Sequence, residues 1–434
     1  MAAPKVKIVT LGCSKNLVDS RRVEQILRRA GYSPAPEDYR GHTAATVVNT
    51  CGFIGDAKEE SIEAILTACA ARDNGRTGRV YVMGCLSQRY RDELPGEIPE
   101  VDRWFGKFDW TGIADALAAD GIQGACRALP APRKGPGHHA YIKIAEGCNR
   151  FCAFCAIPLI TGRMHSRSVE DICGEVEALT ARGVREFNII AQDLSAYGTD
   201  IYGRSALAEL VERLAALPGV DRVRLHYAYP ADFPYDVLPV MAAHPNVCKY
   251  LDIALQHIDD TLLANMRRHI TAGQTRELLA RIRREVPGIH IRTTLMVGFP
   301  GETDEAFGRL LDFVREQKFE RMGAFAYCEE DDTYAARNFA DEIPPEVKQE
   351  RLDRLMALQQ EIAMDSNLAK VGLTLPVIID REDDEYYVGR TEYDSPEVDP
   401  EVLIEKDREL TVGEIYPVRI LRAMPFELIG RIDS

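Results

Sequence analysis

The sequence predicts an α/β protein built from a small parallel α/β domain, a central partial barrel of six βα units and a small antiparallel β-barrel. Three observations lead there. Short apolar, β-branched runs alternate with helix-patterned segments through roughly the first 125 residues; a Pro- and Gly-rich stretch then interrupts them and a second, longer alternation follows; the last 65 or so residues change to short strands between charged turns. At 434 residues the chain is too long for one ordinary core.

In the first unit, expected over residues 1–127, Val6 to Leu11, Thr46 to Thr50 and Val80 to Met83 are strand-like. Asp19 to Ala30 and Asp56 to Ala71 between them have helical spacing, with Val23, Ile26 and Leu27 on one side of the first. The stretch Leu129-Pro130-Ala131-Pro132-Arg133-Lys134-Gly135-Pro136-Gly137 reads as a linker. Six strand candidates follow: Tyr141 to Ala145, Glu186 to Ala191, Arg222 to Tyr227, Tyr250 to Leu255, His290 to Val297 and Met322 to Tyr327. Helical patterns such as Ser168 to Arg182 and Ala206 to Leu217 lie between them. Six βα units are two short of a closed eightfold barrel, so an open one is expected over residues 138–365, with reactive groups at the C-terminal strand ends. From Glu346 to Lys370, Val347, Leu352, Leu355, Leu358 and Ile362 mark a long amphipathic helix that packs on the barrel. Thr374 to Asp380, Glu385 to Thr391, Glu401 to Ile404 and Ile415 to Leu421 are the strands of the last unit, residues 368–434.

Chemistry enters with Cys148, Cys152 and Cys155, a C-x3-C-x2-C pattern directly after the strand Tyr141 to Ala145. Three thiolates so close in sequence can hold three irons of a four-iron, four-sulfur cluster and leave the fourth without a protein ligand. Zinc usually takes four ligands in two pairs, and no second C-x2-C or neighbouring His pair completes such a set. His138 and His139 lie nearby but precede the strand among linker-like residues.

A second set is spread along the first unit, where each of the three strands runs into a cysteine: Cys13, Cys51 and Cys85. Parallel strands end on one edge, so these thiols converge although 38 and 34 residues separate them. Gly12, Gly52 and Gly84 let backbone approach a bulky group. Asn16 and Asn49 either hydrogen-bond sulfurs or position loops, or else simply cap turns. Three cysteines at one topological place point to a second three-thiolate cluster, whose open iron suits it to bind or carry sulfur.

Composition narrows the setting. The chain is 46% hydrophobic, yet no apolar run approaches the roughly 18 residues of a membrane span, and no signal-peptide core opens it. Eleven cysteines without an export signal imply reduced thiols and a cytoplasmic compartment. Cys69, Cys126, Cys173, Cys248 and Cys328 show no ligand-like spacing and read as inert thiols. A formal net charge of −15 weighs against binding nucleic acid mainly through phosphates and allows a basic protein partner.

With both cysteine sets in hand, the sequence resembles the methylthiotransferases, the radical S-adenosylmethionine subgroup with an N-terminal auxiliary-cluster domain, a partial barrel and a C-terminal TRAM domain. The resemblance rests on Leu11-Gly12-Cys13-Ser14-Lys15-Asn16-Leu17-Val18-Asp19-Ser20, Asn49-Thr50-Cys51-Gly52-Phe53-Ile54, Ile144-Ala145-Glu146-Gly147-Cys148, Gln192-Asp193, Leu251 to His257 and Val297 to Thr303. It implies two 4Fe–4S clusters and S-adenosylmethionine as cofactors, with a reducing electron donor. The cluster at Cys148, Cys152 and Cys155 would cleave S-adenosylmethionine to a 5′-deoxyadenosyl radical. The one at Cys13, Cys51 and Cys85 would deliver sulfur, and a second S-adenosylmethionine the methyl group.

One branch of such enzymes modifies an adenosine of tRNA, the other the β-carbon of an aspartate in small-subunit ribosomal protein twelve. The segment Leu11 to Ser20 resembles the second branch more closely, as does Gly389-Arg390-Thr391-Glu392-Tyr393-Asp394-Ser395-Pro396-Glu397-Val398-Asp399. From Leu368 onward, 8 Lys and Arg stand against 16 Asp and Glu, a module that repels RNA and would draw in a basic ribosomal protein. The ribosomal protein, docked through the TRAM domain, is therefore the expected substrate. A tRNA adenosine is the alternative, and a non-catalytic iron–sulfur carrier or electron-transfer protein the alternative of another class.

For S-adenosylmethionine the resemblance implies Phe154 beside the adenine, against a plain core aromatic. Gln192 and Asp193 at a strand's C-terminal end either face the ligand or cap a loop. Arg167 either binds the cofactor carboxylate or is solvated. The turn Gly298-Phe299-Pro300-Gly301 either admits the cofactor or ends a strand. Two departures stand out: Thr161 precedes Gly162 where the family usually has arginine, and Ile258-Asp259 replace the usual small residue and serine after Gln256-His257.

Overall fold

The computed structural model describes residues 3–125 and 137–433. Of the stretch expected to link the first two units, only Gly137 lies among the described residues. Five parallel strands form the N-terminal sheet in the order Ser33–Ala35, Lys5–Thr10, Ala45–Thr50, Val80–Gly84, Arg103–Trp104. The central strand Ala45–Thr50 is buried throughout, as a parallel strand covered on both faces must be. Side chains alternate across it: Val47 packs with Val23, Leu27 and Ile113 of helices Ser14–Arg29 and Trp110–Ala119, and Val48 with Ile65 and Ala68 of helix Gly55–Asp73. The two edge strands went unforeseen because two or three residues carry no readable period. Helix Ser14–Arg29 starts five residues before its expected position at Asp19. Its first turns bury polar Asn16 and Asp19, so no apolar stripe marks them.

The central sheet consists of His139–Lys143, Glu186–Ile190, Arg222–Ala228, Val247–Gln256, His290–Val297 and Arg321–Ala326, all parallel and paired in chain order. Helices such as Val169–Thr180, Leu207–Ala215, Ala272–Glu285 and Asp304–Gln317 bury Ile172, Leu210, Leu214, Leu279 and Leu310 against it. Each such side chain contributes about 1.5–3 kcal/mol on leaving water. Ser168, Thr271 and Thr303 cap three of these helices through their side chains, Thr271 reciprocally with Gln274. Helix Pro345–Leu368 lies along the last strand as expected, with Leu355 buried.

The C-terminal unit is a closed barrel in the order Thr374–Glu382, Tyr386–Arg390, Glu401–Glu405, Glu427–Ile432, Ile415–Ala423. The strand Glu427–Ile432 is a fifth, beyond the four expected, and pairs parallel with Glu401–Glu405 while every other pair is antiparallel. A ring of five strands cannot alternate direction all the way round, so one parallel pair is the cost of closure.

The loop after Arg390 closes the end of the central barrel where its strands begin. Asp394 pairs with Arg321 at 2.6 Å, and Asp399 with Arg292 at 3.3 Å and the Tyr250 hydroxyl at 2.9 Å. Arg390 grips Glu186 at 2.9 and 3.0 Å, and Tyr393 stacks on His290 with centroids 4.0 Å apart. Because the strands are parallel, the opposite end, where they finish, carries the cysteine loops.

Candidate active site

The N-terminal cysteines come from three neighbouring strand ends. Cys13 caps helix Ser14–Arg29, Cys51 follows strand Ala45–Thr50, and Cys85 opens a short helix, Cys85–Arg89, after strand Val80–Gly84. Their loops touch. A Cβ on Gly12 would lie 2.7 Å from the Cβ of Cys51, and one on Gly52 2.7 Å from the Leu86 backbone. Gly84 has φ +107°, and a Cβ there would meet the Thr50 carbonyl at 2.4 Å. Two buried asparagines tie the loops together. Asn16 donates to the carbonyls of Leu11 at 2.9 Å and Thr50 at 3.0 Å, with its Oδ1 3.7 Å from the Cys85 sulfur. Asn49 donates to the Asn16 carbonyl and the Ser20 hydroxyl, both at 2.9 Å. Of the two readings for this pair, loop positioning accounts for nearly all of their bonds.

The second set sits on the loop after strand His139–Lys143, at the finishing end of the central sheet. The Cys155 amide donates to the Cys152 carbonyl at 3.0 Å and the Arg150 amide to the Cys148 sulfur at 3.5 Å, so the chain curls around its own thiols. Arg150 reaches Asp193 at 2.6 Å, bracing this loop against the next strand's end. Arg268 donates to the Cys152 sulfur at 3.2 Å, and the Tyr229 ring lies between Arg150 and Arg268, 4.3 and 4.1 Å from its centroid. Burial drives the Cys51 and Cys148 thiols up to about 11 and Cys155 higher still; at exposed Cys13 desolvation is outweighed by Lys15 and backbone amides, which hold the thiol below its ordinary value. Metal ligation removes these protons, so thiols with a raised pKa bind a cluster with release of protons near neutrality.

The two sets adjoin. Cys85 packs with Ala156 and Ile160, one and five residues after Cys155. Lys107 and Lys143 both pair with Asp19, Lys107 at 3.0 Å, and Lys143 also holds Glu146, which accepts from Gln192. Glu330 joins Lys58 at 3.0 Å and Arg89 at 2.6 Å on the other flank. These contacts fix the N-terminal sheet's cysteine edge over the finishing end of the central barrel.

Buried polar atoms without a partner mark the same end: Gln192 Oε1, Asp193 Oδ1, Gln256 Oε1 and Arg268 Nε. Orphaned donors and acceptors beside two three-thiol sets suit a polar ligand such as S-adenosylmethionine next to iron–sulfur clusters. Gln192 and Asp193 lie at this end, each with one oxygen that has no hydrogen-bond partner. Phe154 is half-buried against Met266, Met296 and Phe299. Arg167 is drawn away: Asp171 and Glu175 take its guanidinium at 2.6 Å each, with the Lys143 carbonyl at 3.0 Å. The Gly298 turn is likewise filled, since a Cβ there would meet the Lys348 side chain at 2.4 Å. Both departures in sequence find local employment: Thr161 bonds the Ile157 carbonyl, and Asp259 caps helix Asp260–Asn265 and pairs with Arg309 at 2.6 Å. Tyr229, Arg268 and Lys107 belong to this site and were not foreseen; Tyr229 and Arg268 meet Cys152 across 77 and 116 residues of chain, Lys107 meets Asp19 across 88, and none stands in a motif.

A parallel partial barrel with a three-cysteine loop at its finishing end defines a radical S-adenosylmethionine enzyme. Residues 142–314 match the radical SAM superfamily, 5–106 the uncharacterized protein family UPF0004 and 371–432 the TRAM domain. The chain is 54% identical to the ribosomal protein uS12 methylthiotransferase RimO of Parabacteroides distasonis over 434 residues, covering 100% of both, and 54% to that of Porphyromonas gingivalis over 436 residues, again 100% of both. It belongs to the ribosomal protein uS12 methylthiotransferase family, and its cofactors are S-adenosylmethionine and 4Fe–4S clusters. Among solved structures, the radical S-adenosylmethionine methyltransferase TsrM of Kitasatospora setae shares the fold at 17% identity and a TM-score of 0.57, covering 77% of each chain. The cobalamin-dependent radical enzyme OxsB does so at 10% identity and 0.51, covering 82% of this chain and 56% of its own.

Proposed function

We propose that the protein adds a methylthio group to the β-carbon of an aspartate in small-subunit ribosomal protein twelve, the uS12 of its relatives' names, in the cytoplasm. The observation that carries this reading is the packing of Cys85 on Ala156 and Ile160, which sets two three-thiol groups side by side. Cys148, Cys152 and Cys155 would hold one 4Fe–4S cluster together with S-adenosylmethionine, and Cys13, Cys51 and Cys85 the other. When bound, these groups supply hydrogen-atom abstraction, sulfur transfer and methyl transfer.

The chain's own residues hold and enclose that chemistry. Asp193 fixes Arg150 and with it the Cys148 loop, Arg268 places positive charge beside the Cys152 sulfur, and Asn16 and Asn49 keep the three N-terminal loops together. Gln192, Asp193 and Gln256 offer polar atoms to S-adenosylmethionine, and Phe154 an apolar wall. Three domains, 1–127, 138–365 and 368–434, divide the work, with the last steering a basic partner and an external reductant supplying electrons. The acidic surface left for that steering centres on Asp383, Asp384, Glu385, Glu405, Asp407 and Glu409, which are exposed.

The test separates the two cysteine sets. In reduced, reconstituted protein, Cys148→Ala, Cys152→Ala and Cys155→Ala should each abolish 5′-deoxyadenosine formation. The triple variant Cys13→Ala, Cys51→Ala, Cys85→Ala should still form it but yield no methylthiolated product. Full methylthiolation by that triple variant contradicts the assignment.

A further inference from the structure

We propose that Lys15 binds the carboxylate of the substrate aspartate and so sets the charge the enzyme accepts; this deepens the reading above and rests on it. Lys15 stands two residues after Cys13, in the first turn of helix Ser14–Arg29. Its ammonium leaves its own domain and lies 3.4 Å from the ring centroid of Tyr227, near the finishing end of barrel strand Arg222–Ala228. Tyr227 has φ +67°, a left-handed turn of the backbone at the point where its ring meets the lysine. The ammonium therefore sits where the N-terminal cysteine edge faces the barrel.

Several neighbouring cations are already engaged. Lys107 and Lys143 pair with Asp19, Arg150 with Asp193 and Asp232, Arg292 with Asp399, and Arg268 with the Cys152 sulfur and the Ala254 carbonyl. Among the described residues, no carboxylate lies within 4.0 Å of the Lys15 ammonium. An acid in its field is Asp252, buried beside His226 at 4.0 Å and beyond salt-bridge reach of the ammonium, with its carboxyl pushed up to about 6 chiefly by burial. An aromatic face is a modest partner for an ammonium, and a charge-assisted hydrogen bond to a carboxylate is stronger. The aspartate β-carbon is bonded directly to its carboxyl carbon, so a lysine gripping the carboxylate holds the reacting carbon one bond away.

The test measures binding of two synthetic peptides of the ribosomal protein around its target aspartate to the cluster-loaded enzyme, one with that aspartate and one with asparagine in its place. The parent should prefer aspartate at least tenfold; Lys15→Met and Lys15→Gln should lose that preference, and Lys15→Arg should keep most of it. Iron content and the iron–sulfur absorption spectrum check that each variant is intact. A tenfold preference that survives in either neutral variant, or is absent from the parent, overturns the proposal. A parent that binds with that preference yet never methylthiolates the peptide or the whole ribosomal protein overturns instead the function beneath it.

Discussion

Residue chemistry decides what can be held at this site, and most of it could be read in sequence. Six cysteines were legible because spacing reveals one set and strand-end topology the other. Asn49 exemplifies the supporting layer: its side chain satisfies the Asn16 carbonyl and Ser20 hydroxyl, both buried. Asn49→Ala takes this donor from the Asn16 carbonyl and leaves the Ser20 hydroxyl only its bond from Thr10 at 2.7 Å, a loss of about 1–3 kcal/mol concentrated on the cysteine loops. The expected outcome is selective loss of the N-terminal cluster, with iron per chain falling from about eight toward about four, measured on reconstituted protein. Unchanged iron would show that the loops hold without this brace. What sequence did not disclose has a common cause. Tyr229 and Arg268 meet Cys152 through folding alone, and Arg167 is claimed by Asp171 and Glu175 of the helix that follows it, a competition that a list of candidate ligands does not display.

At the level of elements, the six barrel strands were foreseen nearly to their ends, since each has a buried apolar period; the long helix was foreseen too, but its buried face runs through Lys348, Arg351, Leu355, Gln359, Ala363 and Asn367, with the expected Leu352, Leu358 and Ile362 only half-buried. The fifth strand of the C-terminal barrel, Glu427–Ile432, was not, because it follows a tight turn and reads as a tail. The loop Thr391 to Pro400 shows a further limit: its acids look like surface charge in sequence, yet Asp394 and Asp399 are buried counter-ions for Arg321 and Arg292. Removing one partner of such a buried pair costs about 3–5 kcal/mol, because the other charge stays buried alone. Asp394→Ala should therefore lower the thermal midpoint by several degrees, whereas neutralising exposed Asp384 should leave it unmoved. Equal effects of the two would mean that the loop does not bind the barrel as described.

The whole molecule is a barrel closed at both ends: the N-terminal sheet's cysteine edge covers the finishing end of its strands, and the acidic loop plugs the starting end. That second junction should fail in acid. Glu186, Asp380 and Asp394 are buried, which alone would raise their pKa values, but Arg390, Arg224 and Arg321, with His138 beside Asp380, hold them below the ordinary carboxylate range. Depressed folded-state values mean that the stabilisation is complete above about pH 5 and drains away as pH falls through and below the usual carboxylate range of about 4. The midpoint should drop steeply between about pH 5 and 3, and less steeply in Asp394→Asn; equal slopes would locate the acid sensitivity elsewhere.

The account's central claim is that this two-cluster site acts on a protein. Its most direct measurement is anaerobic incubation of reduced, reconstituted enzyme and S-adenosylmethionine with the small-subunit ribosomal protein and, separately, with tRNA, each followed by mass spectrometry. The account predicts a methylthio mass increment on an aspartate of the protein and none on tRNA. An increment on tRNA alone would contradict it.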